Sequence, residues 1–356
     1  MEELTQLQAD TLALLERLVA TPSVSRDEAR TADLLAARLA SYGIATERLH
    51  NNIYARAARF DAAKPTLLLN SHHDTVRPAA TWTRDPFTPT WEGERLYGLG
   101  ANDAGASVAA LTAAFRCYYD AELPFNLLLA LSAEEECMGE HGMRALLLEL
   151  GPIDMALVGE PTQMRAAVGE RGLVVLDCTA RGQAGHAARN EGINALYIAA
   201  DDIAWLLGYR FERESPLLGP IGMTATQIEA GTQHNVVPAE CRFVVDVRTT
   251  DAYTNEETVE IVRSHMRSEV APRSTRIRAS AIAPDHPMVG AAAALGVERF
   301  VSPTTSDMAL MPFPSLKMGA GDSARSHTAD EYVLRSEVEQ GVEGYIRYIA
   351  ELAKRY

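Results

Sequence analysis

Cysteine is scarce in this chain: the four thiols, Cys117, Cys137, Cys178 and Cys241, stand far apart and form no CxxC pair. That spacing excludes a zinc knuckle and a disulfide framework, and it fits a reducing, cytoplasmic setting. Positive charge is also short. Only 33 lysines and arginines face 48 aspartates and glutamates, for a formal net charge of -15. Nucleic acid and anionic membrane surfaces are therefore poor partners, and small molecules are the expected ones. No segment approaches the roughly 18 uninterrupted apolar residues that a membrane span needs. The opening stretch MEELTQLQADTLALLERLVA lacks a basic n-region and carries Leu4, Leu7, Leu14, Leu15, Leu18 and Val19 at helical spacing. It is expected to be an amphipathic helix of the folded protein, not a signal peptide. Internal repeats and low-complexity tracts are missing as well.

What is present is an ordinary globular composition, 47% apolar and 23% charged over 356 residues, a length that predicts two domains. Up to about residue 170, apolar runs alternate with helical patterns. SRDEARTADLLAARLASYG predicts a helix with a capping box from Ser25 to Glu28 and a stop at Gly43. TLLLN (66–70), NLLLALS (126–132) and MALVG (155–159) read as strands covered on both faces. ASVAALTAAFRCYY and HGMRALLLEL read as helices between them, which predicts an α/β domain with a largely parallel sheet.

Near residue 172 the texture changes to a strand (GLVVLDCTA), a helix (INALYIAADDIAWLLGY), two strands (MTATQIEAG and CRFVVDVRT), a helix (NEETVEIVRSHMRSEV) and a last strand (STRIRASAI). This βαββαβ order predicts a small ferredoxin-like α+β sandwich. After about residue 284 the first texture resumes, with a strand-like SLKMGAG and a closing helix from RSEVEQ onward. The expected organisation is one domain over 1–171 and 284–356, interrupted by a second over 172–283.

In parallel sheets ligands bind beyond the carboxyl ends of the strands, so polar residues directly after apolar runs are the candidates. His72, His73 and Asp74 end the first run; an HxD pair lets the imidazole bind a cation while the carboxylate orients it. YGLGANDAGAS brings Asn102 and Asp103 out of a glycine loop, and one carboxylate can bridge two metals. Glu134, Glu135 and Glu136 leave a buried strand together, where they repel one another unless a cation neutralises them. Glu160 in GEPT and His327 in GAGDSARSHTADEYV complete the set. Imidazole mixed with hard oxygen donors suits two divalent ions, zinc, cobalt or manganese, and disfavours a thiolate site.

Together, His72, Asp74, GLGANDAG, SAEEE, GEPT and SHTADEY resemble the co-catalytic zinc aminoacylase and exopeptidase superfamily. Within it the match is to the acetylornithine deacetylase and succinyl-diaminopimelate desuccinylase branch, nearly over the whole chain. The resemblance implies a metallohydrolase domain with an inserted lid that also forms a homodimer. It implies His72 and Glu160 on one metal, Glu136 and His327 on the other, Asp103 bridging both, and Asp74 orienting His72. Glu135 is then the general base; a slip of the pair to Glu134 and Glu135 stays open. It also implies a cis peptide from Asn102 to Asp103. In the lid, His186 would reach the partner subunit's site to stabilise the oxyanion, and Asn235 and Arg248 would bind the substrate, with Gly319 offering a backbone N–H. Two departures stand out: Ala104, Gly105 and Ala106 follow Asp103 where relatives often carry a lysine, and His73 and Arg77 are unusual.

The implied reaction is hydrolysis of the amide of an N-acyl amino acid, first N-acetylornithine or N-succinylornithine in arginine biosynthesis. Succinyl-diaminopimelate desuccinylation and dipeptide or carboxypeptide hydrolysis are the alternatives within enzymes, and non-catalytic binding of metal or amino acid is the alternative outside them. A distal succinyl carboxylate needs a waiting cation, for which Arg77 and Arg325 are the candidates.

Overall fold

A computed structural model describes residues 2–189 and 191–356. It divides into two compact units, one of Met1–Val168, Ile282–Phe300 and Ser306–Tyr356, the other of Gly169–Ala281 and Val301–Thr305.

In the first unit the strands lie in the order Glu47–Leu49, Asn52–Arg56, Asn126–Ser132, Thr66–His72, Met155–Val158, Ser315–Lys317, Ala166–Glu170. The four central neighbours from Asn126–Ser132 to Ser315–Lys317 run parallel, and the outer pairs are antiparallel. The central runs are apolar throughout because both faces are covered. Leu68, Leu128, Ala130, Ala156 and Val158 pack toward Met143 and Leu146 of the helix Met143–Glu149. The alternate residues Leu67, Leu69, Leu127, Leu129 and Leu157 are equally buried on the other face. The helices Glu2–Val19, Ala106–Tyr118 and Arg335–Ala353 pack on one another, with Leu15, Phe115 and Tyr345 fully buried. Register aligns the strand ends: His72 lies opposite Ser132, Asn70 opposite Val158, and Val158 opposite Lys317. All four parallel strands thus release their chains on one edge, where polar groups cannot be buried by the layers.

The helix expected to start at Ser25 runs over Ala29–Ser41 instead. Ser25 does not cap it, because its hydroxyl donates to Asp74 Oδ2 at 2.6 Å. Glu28 is likewise engaged elsewhere and accepts from Asn51 Nδ2 at 2.8 Å.

The second unit is a four-stranded antiparallel sheet in the order Gly222–Ala230, Glu240–Thr249, Gly172–Arg181, Glu269–Pro272. The helices Ala195–Gly208 and Asn255–His265 bury Ile198, Leu206, Val259 and Val262 against Val174, Leu176, Phe243, Val245 and Val247. Alternating burial along Gly172–Arg181 matches a sheet with one covered face. Thr254 and Glu257 form a reciprocal capping box on the second helix. The fourth strand is not the predicted STRIRASAI but Glu269–Pro272, whose first two residues were expected to end the helix. The cause is Asp202, which is buried and accepts the N–H groups of Arg267 and Ser268, so the chain leaves the helix early. The segment after Pro272 is held by Asn255 Nδ2, which donates to the carbonyls of Thr275 and Ile277. Among the described residues, no helix is long and apolar enough to cross a membrane.

Candidate metal centre

His72 is the last residue of its strand and is buried. Its Nδ1 donates to the carbonyl of Asp74 at 3.0 Å, which leaves Nε2 facing Asp103 Oδ1 at 3.2 Å and Glu160 Oε1 at 3.7 Å. A ring nitrogen tied to a carbonyl and its partner aimed at carboxylates is the arrangement of a metal-binding imidazole. The orienting contact comes chiefly from the main chain of Asp74; its carboxylate lies farther off, at 3.5 Å. That carboxylate, fully buried, instead accepts the N–H of Glu135 at 3.0 Å, the N–H of Glu136 at 3.2 Å and the Ser25 hydroxyl. Burial works against its ionisation, yet the His72 contact and these donors hold it below the usual carboxylate range.

His73 does not join the cluster. Its Nε2 donates to the Asn51 carbonyl at 3.0 Å and its Nδ1 lies 2.9 Å from Thr31 Oγ1. Burial drives it down to about 4, so it packs as a neutral ring. The paired imidazoles therefore point to opposite sides, as successive residues at a strand end must.

On the far side of the cluster, His327 Nε2 lies 2.9 Å from Glu136 Oε2 and 3.6 Å from Asp103 Oδ2. The Glu136 hydrogen bond raises His327 to about 9. Two triads of donor atoms result, His72–Asp103–Glu160 and Asp103–Glu136–His327, each within 4.8 Å, with Asp103 common to both. Glu135 also converges on His72 and Glu136, while Glu134 turns away: its Oε2 accepts the N–H of His141 at 3.2 Å. The loop that carries Asp103 has a cis peptide between Asp103 and Ala104, one bond later than the resemblance implied.

The electrostatics test whether these residues fit a divalent cation. Burial pushes Glu160 up to about 8, with Asp103 adding to the rise, and burial likewise raises Glu135 well above the usual carboxylate range. Burial pulls His72 down, but the surrounding carboxylates, Glu135 foremost, hold it well above an ordinary imidazole. Asp103 is pushed up by burial and brought below its ordinary value by His72. Four carboxylates thus converge where protons are the available counter-charge. Divalent cations would replace those protons, and the donor set of imidazole and carboxylate fits them.

The segment before His327 is fixed by Asn102. Its Oδ1 accepts the N–H of Asp322 at 2.8 Å and its Nδ2 donates to Asp322 O at 3.0 Å. Gly321 allows this approach, since a Cβ there would lie 2.4 Å from Asn102 Oδ1. Gly319, expected to offer its N–H to a substrate, gives it to Thr162 Oγ1 at 2.9 Å. It is glycine because a Cβ would meet the Glu160 carbonyl at 2.5 Å. Arg325 is not free either: its guanidinium grips the Glu337 carboxylate, with Nη1 at 3.0 Å from Oε2, and donates to the Tyr332 carbonyl. Arg77 is exposed, with no partner among the described residues.

In the second unit, His186 is exposed on a short hairpin opposite Val236, and Asn235 accepts the Ala187 N–H through its carbonyl. Arg248 pairs with Asp246 at 2.8 Å. Missing from the sequence reading were Glu331, Asn102 as a side-chain link, and Asp307. Asp307 is buried, accepts the Ser132 hydroxyl at 2.7 Å and is raised by burial to about 6. Asp307 falls in a Ser/Thr-rich stretch, SPTTSD, that carries no strand or motif signal.

Two overlapping imidazole–carboxylate triads beside the carboxyl edge of a parallel sheet fit a metal-dependent amidohydrolase. Residues 68–351 match the model of peptidase family M20/M25/M40, and the chain belongs to that family. It is 32% identical over 278 residues to succinyl-diaminopimelate desuccinylase of Acidovorax ebreus, covering 70% of each chain. Among solved structures it resembles aminopeptidase PepT from Bacillus cereus, with a TM-score of 0.78, 19% identity and coverage of 97% and 99%. A dinuclear metal binding peptidase of the M20 family from Bacillus subtilis superposes with a TM-score of 0.71 at 17% identity, covering 98% of both chains.

Proposed function

We propose that this protein is a deacylase that hydrolyses the amide of an N-acylated diamino acid, using two divalent cations, zinc first among them. The observation that carries the reading is Asp103, with one carboxylate oxygen toward His72 and the other toward His327. His72, Asp103 and Glu160 would hold one cation, and Asp103, Glu136 and His327 the other. Bound there, the cations supply Lewis-acid polarisation of the scissile carbonyl and lower the pKa of water from near 15.7 toward about 7.

Glu135 acts as general base. It takes a proton from the water whose oxygen bonds to the amide carbon, then gives it to the nitrogen as the C–N bond breaks, leaving a carboxylic acid and a free amine. Burial makes its carboxylate a stronger base, and the Asp74 bond to its N–H fixes where it stands. Glu134 is a poor substitute because its carboxylate is spent on the His141 N–H.

The second unit serves as the lid and joins two copies, with His186 of one copy stabilising the oxyanion in the other, and Asn235 and Arg248 meeting the substrate carboxylate. Supporting this, Gly222–Ala230 is an unpaired sheet edge with Ile228 exposed, and the helix Ala195–Gly208 exposes Tyr197 and Leu207. Four free cysteines support a reducing, cytoplasmic setting.

For the acyl group we favour acetyl, with N-acetylornithine as the substrate in arginine biosynthesis. Arg325, one of two cations able to meet a distal succinyl carboxylate, is occupied by Glu337. The desuccinylase relatives favour the second reading, in which Arg77 alone meets that carboxylate and the substrate is N-succinylornithine or succinyl-diaminopimelate. Rates of the zinc-loaded protein on acetylornithine, acetylcitrulline, succinylornithine and succinyl-diaminopimelate decide between them. Cleavage of dipeptides alone would refute both, and a metal-loaded protein that cleaves no amide would make it a binding protein.

A further inference from the structure

We propose that Glu331 is a positioning residue that sets the shared ligand Asp103, so that its loss weakens both cation sites together. Glu331 is 2% exposed and belongs to neither triad. Its Oε1 accepts the N–H of Asn102 at 2.8 Å and the N–H of Asp103 at 3.0 Å. Its own carbonyl accepts the N–H of Gly98 at 3.0 Å. One residue therefore clamps the 98–103 segment at both ends, and the second clamp closes on the peptide group of the bridging aspartate itself.

The surroundings leave Glu331 little freedom to do otherwise. Asp330, just before it, accepts the N–H groups of Thr83 and Arg84 at 3.0 and 3.2 Å. Tyr332, just after it, pairs antiparallel with Tyr97. The side chain is thus held from both sides beneath the Asp103 loop, four positions after His327. Placing a second buried carboxylate beside Asp103 is electrostatically unfavourable, and the backbone N–H bonds partly offset that cost. A neutral side chain without an acceptor would leave one buried and one part-buried N–H group unsatisfied and free the loop to shift. Because Asp103 faces His72 with one oxygen and His327 with the other, a shift of its backbone moves a ligand of both triads.

The inference rests on the reading of Asp103 as the bridging ligand, and cobalt binding separates the two. Metal-free wild-type, Glu331→Ala, Glu331→Asp and Glu331→Gln proteins are titrated with Co²⁺ while its visible absorption is followed, and kcat and KM are measured on the best substrate. The wild type is expected to take up two ions. Glu331→Ala should lose about 10–100-fold in affinity for both, with an altered spectrum, a lower kcat and a nearly unchanged KM. Glu331→Asp, which withdraws the acceptor but keeps the charge and is the variant to use if the alanine protein does not fold, should weaken both sites as well. Glu331→Gln keeps an acceptor oxygen and should restore the wild-type spectrum and affinities. Two ions in the wild type with unchanged affinities and spectrum in the Ala and Asp variants, or loss confined to one ion, overturns the inference alone. A wild type that binds no cobalt overturns the bridging reading and this inference with it.

Discussion

The two units hold the side chains singled out for the site in opposite ways. In the first, His72, Asp74, Glu135 and Glu136 at strand ends, and Asp103 at the start of a helix, are held by one another and by backbone groups, with little exposure. In the second, His186 and Asn235 are exposed on hairpin residues, and Arg248 pairs with a neighbouring aspartate. The difference teaches where each kind of work belongs. Groups that must meet cations and a proton with little error are preorganised by packing. Under the function proposed above, groups that meet a passing substrate stay in water until it arrives.

The largest effect should come from the interlocked unit. Glu135→Gln is expected to lower kcat at least 10²–10⁴-fold while zinc content, read by elemental analysis, stays at the wild-type value. Full activity in that variant breaks the comparison at its centre.

His186→Ala should follow, with a loss of about 10²–10³ in kcat and no change in metal content. The cross-copy role is sharpened by mixing it with Glu135→Ala after reversible dissociation. Half of the random dimers would pair one intact Glu135 with an intact His186 from the other copy, restoring about a quarter of wild-type activity. No recovery would confine His186 to its own subunit.

Acidity gives a third contrast. Glu160 at about 8 and His327 at about 9 hold protons at neutral pH in the metal-free protein. Cation binding must expel them, so the apparent zinc affinity should rise with pH up to about 9 and fall steadily below it. Calorimetry in buffers of different ionisation enthalpy should report proton release near pH 7. Cation uptake without it would contradict the assignment of these two groups.

The smallest effect belongs to a residue that lies beside the site but outside it. Thr31→Val removes the hydroxyl facing His73 and should cost about 1 kcal/mol in denaturant unfolding, with kcat unchanged. A large fall in kcat would return His73 to the active site.

The convergence of His72, Glu135, Glu136 and Glu160 was legible in the sequence because buried parallel strands must end in polar residues at one edge, and each of these residues ends or follows such a run. Other parts were hidden for physical reasons. Glu331 and Asn102 act on backbone groups more than 200 positions away, and a long-range hydrogen bond to an N–H has no sequence period. Arg325 looked available because its partner Glu337 reads as an ordinary residue of the next helix's first turn. The fourth strand of the second unit was absorbed into a helix because the Asp202 side chain that ends the helix early comes from another helix.

The donors come from segments as far apart as His72 and His327. The peptide N–H of Asp103, the residue common to both triads, bonds to Glu331, which lies later in the chain than every donor. A chain that stops short of Glu331 would therefore hold neither triad in its final geometry, even with every one of the donors already made.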